Sequence, residues 1–117
     1  MKSFYPAVIT KNVDDAIYTM EQLGFLVAHK QEGVIENGYT EYILENAEGF
    51  KCVIISSDEP EDLNAVYVGT DNIEDAVKEY SDMGFSVYKD IHSTEFSKTA
   101  IMRSGFGLFV MLSEHIK

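Results

Sequence analysis

Residues 6–25, PAVITKNVDDAIYTMEQLGF, and residues 65–85, AVYVGTDNIEDAVKEYSDMGF, read as two copies of one pattern. A shift of 60 lays Thr10 on Thr70, Asn12 on Asn72, Asp15 on Asp75, Ala16 on Ala76, Gly24 on Gly84, Phe25 on Phe85 and Val27 on Val87. Val13/Ile73, Ile17/Val77 and Leu23/Met83 keep apolar character at the same shift. Self-similarity at a fixed period marks a fold built from a repeated unit. Further along, Gly49-Phe50 matches Gly105-Phe106 at a shift of 56, so the second copy has the shorter middle hairpin. A chain of 117 residues is too short for two ordinary cores, and the copies are therefore half-domains.

Each copy reads in the same order. A β-rich run, Phe4 to Thr10 or Asn64 to Gly69, leads to Asn12 or Asn72, a residue type suited to an N-cap. Apolar residues then recur at helical spacing: Val13, Ala16, Ile17, Met20 and Leu23 in one helix, Ile73, Ala76, Val77, Tyr80 and Met83 in the other. These stripes should face a sheet. Asp14, Asp15, Glu74 and Asp75 fall in the first turns, where the positive end of the helix dipole favours carboxylates. Gly24 and Gly84 sit where a left-handed residue commonly ends a helix. Three strands follow each glycine: Phe25 to Lys30, Gly38 to Glu45 and Phe50 to Ser56, then Phe85 to Lys89, Thr94 to Arg103 and Gly107 to Ser113. The order is βαβββ twice, an α+β fold in one domain. Its half-modules span about 1–57 and 63–117, with the acidic, proline-bearing segment 58–62 as connector.

Composition narrows the function classes. With 45% apolar residues the chain can bury a core, which excludes disorder. Its unbroken apolar runs, such as Cys52 to Ile55 and Leu108 to Leu112, fall far short of the roughly 20 residues that cross a bilayer. The first ten residues lack a secretory pattern, and a cytoplasmic location is expected. The single Cys52 allows no internal disulfide and no cysteine-based zinc cluster. Twenty acidic against nine basic side chains give a net charge of −11, which repels nucleic acid and anionic membranes and suits a soluble protein or a cationic ligand.

The tandem repeat, with its Asn-Val-Asp or Asn-Ile-Glu helix start and Leu-Gly-Phe or Met-Gly-Phe helix end, resembles the vicinal oxygen chelate superfamily. That group includes glyoxalase I, extradiol dioxygenases, and the fosfomycin and bleomycin resistance proteins. The resemblance covers nearly the whole chain. It implies a curved mixed sheet around a concave cavity, helices on the outer face, and a homodimer. It also implies a divalent metal held by a His or Gln in the first strand of a module and a Glu in its last. Carried onto this sequence, those positions are Tyr5 and Ala65, with Val53 or Ile55 and Phe109 or Met111. They offer at most one phenol, whereas a divalent ion takes three or more N or O donors. Neither a metal nor another cofactor is expected, and no residue is assigned as catalytic.

Strand alternation places Tyr5, Ala7 and Ile9, and Ala65, Tyr67 and Gly69, on the concave side. The expected ligand-binding set is Tyr5, Ile9, Tyr67, Phe109 and Met111, with Tyr42 or the single arginine, Arg103, as polar handles. The same residues could instead fill a closed core or a dimer interface. His29, on a strand face with Phe25 and Val27, His92, in a turn, and His115 have no metal-ligand spacing. Glu114 reads as a solvated carboxylate, and Cys52, in an apolar run, as an inert thiol. Two functions follow. One is a non-catalytic, metal-independent binding protein of the bleomycin-resistance type for a small aromatic or cationic molecule. The other is a glyoxalase- or dioxygenase-like metalloenzyme with displaced ligands drawn from His29, His92, Glu41, Glu95 or Glu114.

Overall fold

A computed structural model describes residues 1–36 and 38–116. In chain order its elements are β1 (Ser3–Thr10), α1 (Val13–Gln22), β2 (Leu26–Glu32), β3 (Thr40–Glu45), β4 (Lys51–Ser56), β5 (Leu63–Gly69), α2 (Ile73–Asp82), β6 (Ser86–Ser93), β7 (Ser97–Arg103) and β8 (Phe109–His115). All eight strands join one curled, mixed sheet in the order β2-β3-β4-β1-β5-β8-β7-β6. The order reads as one half and its mirror image about the β1–β5 pair. Within each half the first strand lies parallel to the last, β1 on β4 and β5 on β8. The halves join within the one chain by antiparallel pairing from Ser3↔Gly69 to Ile9↔Leu63.

The helices cover the convex face, because each buries one apolar stripe against strand residues of a single parity. Under α1, Val13, Ala16, Ile17 and Met20 meet Leu44, Cys52 and Ile54. Beneath α2, the buried Ile73 and Ala76, with Val77 and Tyr80, meet Val68, Ala100, Met102, Val110 and Leu112. A fully buried isoleucine such as Ile73 contributes about 1.5–3 kcal/mol. Leu23 and Met83 do not join these stripes. They are the C-cap residues, and the chain turns away there, leaving both side chains exposed. Gly24 and Gly84 follow with φ of 93° and 98°, a backbone that side chains disfavour.

The two helix starts differ. Asn72 accepts a hydrogen bond from the Asp75 amide at 3.0 Å, whereas Asn12 makes no side-chain cap. The second helix is capped further by Glu114, whose Oε1 accepts from the Ile73 amide at 2.8 Å. That carboxylate is therefore a helix cap and is not simply solvated. Strand ends also depart from expectation. The sixth strand runs on to Ser93, so His92 lies in a strand, and the seventh begins at Ser97 because the Thr94 hydroxyl accepts from the Phe96 and Ser97 amides and closes a turn. A register shift between Val27 and His29 breaks the alternation that would have kept them on one face.

Candidate functional site

The concave face is built by the other parity. Registers align Ile43–Val53–Ala7–Ala65–Phe109 in one row and Tyr5–Tyr67–Met111–Ile101 in the next. One end of this trough is filled by the chain itself. The β2–β3 connection lays Val34, Ile35 and Tyr39 into a cluster with Ile9, Ile55 and Phe109. Polar anchors pin it to the opposite rim. The Thr99 hydroxyl donates to the Val34 carbonyl, Lys89 bridges to Glu36 at 2.6 Å, and Tyr39 donates to Glu59 at 3.2 Å. Tyr88 donates to the same Glu59 carboxylate. Burial and the Glu59 charge push the Tyr39 phenol up to about 12.

The other end stays open as a pocket of about 490 Å³. Its apolar wall is Tyr5, Tyr67 and Ile43. The tyrosine rings stack, 5.7 Å apart and 18° from parallel, and the Lys51 ammonium stands 5.7 Å from the Tyr5 ring centroid. Polar groups in its lining include Lys2, Lys51, Ser113, His115 and Asp71. Lys2 and Asp71 pair at 3.2 Å with both side chains largely exposed, a geometry that contributes little.

Glu41 is the group that sequence reasoning undervalued. It shares the concave parity of β3 with Ile43 and is only 2% exposed, and burial pushes its carboxyl up to about 7. Its charge in turn helps burial raise the Tyr67 phenol to about 12, against a hydrogen bond to Ser113 that acts the other way. Such a desolvated carboxyl can take up or release a proton, although Glu41 does not itself line the open pocket. The available signal was its alternation with Ile43 on a strand flanked by apolar partners.

The structure distributes the expected ligand-binding residues over four places. Tyr5 and Tyr67 meet in the open pocket. Ile9, Phe109 and Met111 lie on the concave face but are buried, Ile9 and Phe109 among the residues that pack the β2–β3 connection. Tyr42 falls on the convex side with the α1 cluster, since its parity is that of Leu44, and Lys30 lies over its ring. Arg103 sits at the end of its strand over the Phe109 ring, beside Glu59 and Pro60. His29 is exposed, and His115 reaches the pocket because β8 extends two residues past the expected end.

At the positions where the resemblance implied metal ligands stand Tyr5, Ala65, Val53, Ile55, Phe109 and Met111, side chains that do not fit a divalent ion. Among the described residues, no three His, Cys, Asp or Glu side chains gather as a metal site. No helix among them is long and apolar enough to cross a membrane.

No family model matches the chain, and no curated protein matches it in sequence. Solved structures do match in shape. A hypothetical protein, BH1468 from Bacillus halodurans C-125, superposes with a TM-score of 0.64 at 16% identity over 99% of this chain and 97% of its own. A variant of Streptomyces coelicolor methylmalonyl-CoA epimerase in complex with 2-nitronate-propionyl-CoA gives 0.66 at 15% identity, over 97% and 96%. A glyoxalase/bleomycin resistance protein/dioxygenase superfamily member from Vibrio splendidus 12B01 gives 0.62 at 14%, over 97% and 98%. With its mirrored sheet order and its two helices on the convex face, the chain shares the fold of these structures, a glyoxalase/bleomycin resistance protein/dioxygenase superfamily member among them.

Proposed function

We propose that the chain binds a small organic molecule in the open pocket at the join of its two half-modules, without a metal and without transforming it. The observation that carries this reading is the stacked Tyr5–Tyr67 pair walling a pocket of about 490 Å³ on the face where relatives with this fold would place chelating residues. Structures of the same fold that hold CoA derivatives support a small-molecule role for such a trough. Native mass spectrometry of the purified protein, before and after incubation with zinc, nickel or manganese, tests the reading. A metal-free mass that persists, with organic adducts lost in Tyr5→Ala, is the expected result. A stoichiometric retained metal would overturn it.

Glu41 favours a second reading, an enzyme that moves a proton on its bound substrate, because a carboxyl held near 7 matches neutral working conditions. Turnover of a carbon acid that is lost in Glu41→Gln but indifferent to chelator would select this reading over the first. A metalloenzyme with displaced ligands draws no support from the placement of His29, His92 and Glu95, which do not gather with Glu41.

The protein is further proposed to act as a cytoplasmic homodimer. Support comes from Phe4, 57% exposed on the convex face, and from an apolar crevice of about 370 Å³ beside α1 lined by Pro6, Val8 and Met20. Sedimentation should give a dimer mass that Phe4→Glu halves; a monomer at every concentration would exclude it.

A further inference from the structure

Charge is distributed in the pocket against the trend of the molecule. The chain holds nine basic and twenty acidic side chains, yet two of the nine, Lys2 and Lys51, line the pocket against one of the twenty, Asp71. Asp71 is already engaged by Lys2. The ion pairs among the described residues are Lys2–Asp71, Lys89–Glu36 and Lys98–Glu74, so Lys51 stands in none of them. Its ammonium is held instead over the face of Tyr5, where the ring quadrupole steadies a cation without neutralising it. Two other carboxyl groups share this face of β3. Glu45 lies opposite Lys51 in the ladder but makes no ion pair with it, and Glu41 is buried. On β8 the His115 imidazole adds a second polar group to the lining, beside Ser113, whose hydroxyl is bonded to Tyr67.

From this arrangement, and resting on the binding reading above, we infer that the ligand of this pocket carries a carboxylate: the anionic group meets Lys51 and His115, and an apolar body lies against Tyr5, Tyr67 and Ile43. An anion here gains a charge-assisted hydrogen bond and gives Lys51 the counter-charge it lacks. A cationic ligand, which the net charge of −11 would suggest, meets the ammonium instead. The global field and the local wall thus have opposite preferences, and at contact distance the local wall decides, because salt screens charges beyond about 8–10 Å.

Isothermal titration with three probes of one shape, naphthoate, naphthamide and naphthylmethylammonium, tests the inference. Naphthoate should bind about tenfold tighter than the amide, and the ammonium probe should be weakest. Lys51→Gln should abolish the preference for naphthoate over the amide. Tyr5→Ala should weaken all three. Equal affinities, or a preference for naphthoate that survives in Lys51→Gln, would overturn the carboxylate assignment and leave the binding reading intact. Binding of none of the probes at millimolar concentration, or binding indifferent to Tyr5→Ala, would overturn both.

Discussion

Tyr5 of β1 and Tyr67 of β5 stand directly opposite each other across the seam between the half-modules, with their rings stacked 5.7 Å apart. The pair both closes the seam and walls the pocket, but the two rings are not equivalent. Tyr67 is 2% exposed, within the concave core, and Tyr5 is half-buried. Tyr67→Ala should cost about 3–5 kcal/mol, the range for emptying a large aromatic site. Tyr67→Phe, which loses only the hydroxyl facing Ser113, should cost about 1 kcal/mol. Tyr5→Ala should cost about 1–2 kcal/mol, since part of its ring already meets solvent. Urea unfolding of the three variants measures the order; equal losses at Tyr5 and Tyr67 would contradict the difference in burial. For binding studies Tyr67→Phe is therefore the variant of choice.

Stability should fall as pH rises through the range of Glu41. Its carboxyl has a folded value near 7 against 4.5 for the free group, so between those values the folded chain keeps a proton that the unfolded chain has released. Folding is then favoured at low pH, and the advantage is lost as pH climbs from about 4.5 to 7. The full shift corresponds to about 3 kcal/mol. Glu41→Gln removes the titration and should be the more stable protein at pH 8, with a flatter profile from pH 5 to 8. Denaturation midpoints of both proteins at the two pH values decide it. A wild-type profile that rises across that window would mean the carboxylate finds a compensating partner.

Helix starts that look alike in sequence should respond differently to the same substitution. Asn72→Ala removes the acceptor of the Asp75 amide and should cost about 1 kcal/mol. Asn12→Ala should cost only a few tenths, because the Asn12 side chain caps nothing; there the Thr10 hydroxyl accepts from the Asn12 amide and donates to Asp62. Equal losses at the two asparagines, measured by thermal unfolding, would contradict the asymmetry.

Much of this architecture is legible in the sequence because the repeat supplies each half with a second reading. Alternation alone assigns Tyr5, Ala7, Ile9, Ala65 and Tyr67 to one face, and the registers agree. Legibility stops where tertiary contact overrides local pattern. Tyr42 looks like a pocket aromatic until its parity with Leu44 places it under α1. Val34 and Ile35 lie between strands, where sequence reads a loop, and nothing local tells that the loop folds into the trough. His115 enters the pocket only because β8 outruns its apolar segment, through pairing with Ser97.

The filled end of the trough depends on one carboxylate. Glu59, in the connector between the half-modules, accepts from Tyr39 of the first half and Tyr88 of the second, so it ties the inserted segment to the far rim. Tyr39 is buried, and without Glu59 its phenol would lose its acceptor, at a cost of about 1–3 kcal/mol. The Lys89–Glu36 bridge, partly exposed, would remain but is worth less. Glu59→Ala should therefore loosen the segment locally, leaving the packing of Val34 and Ile35, the Thr99 bond to the Val34 carbonyl and the Lys89–Glu36 bridge to hold it. Two amides report this directly: Gly33 donates to the Tyr39 carbonyl at 2.8 Å, and Tyr39 to the Glu36 carbonyl at 3.1 Å. Hydrogen exchange at both should accelerate in Glu59→Ala by more than at the amides of α2, which the connector does not brace. Uniform acceleration over both regions would mean that Glu59 acts only through global stability. Unchanged exchange at Gly33 and Tyr39 would mean that the remaining contacts hold the segment in place without Glu59.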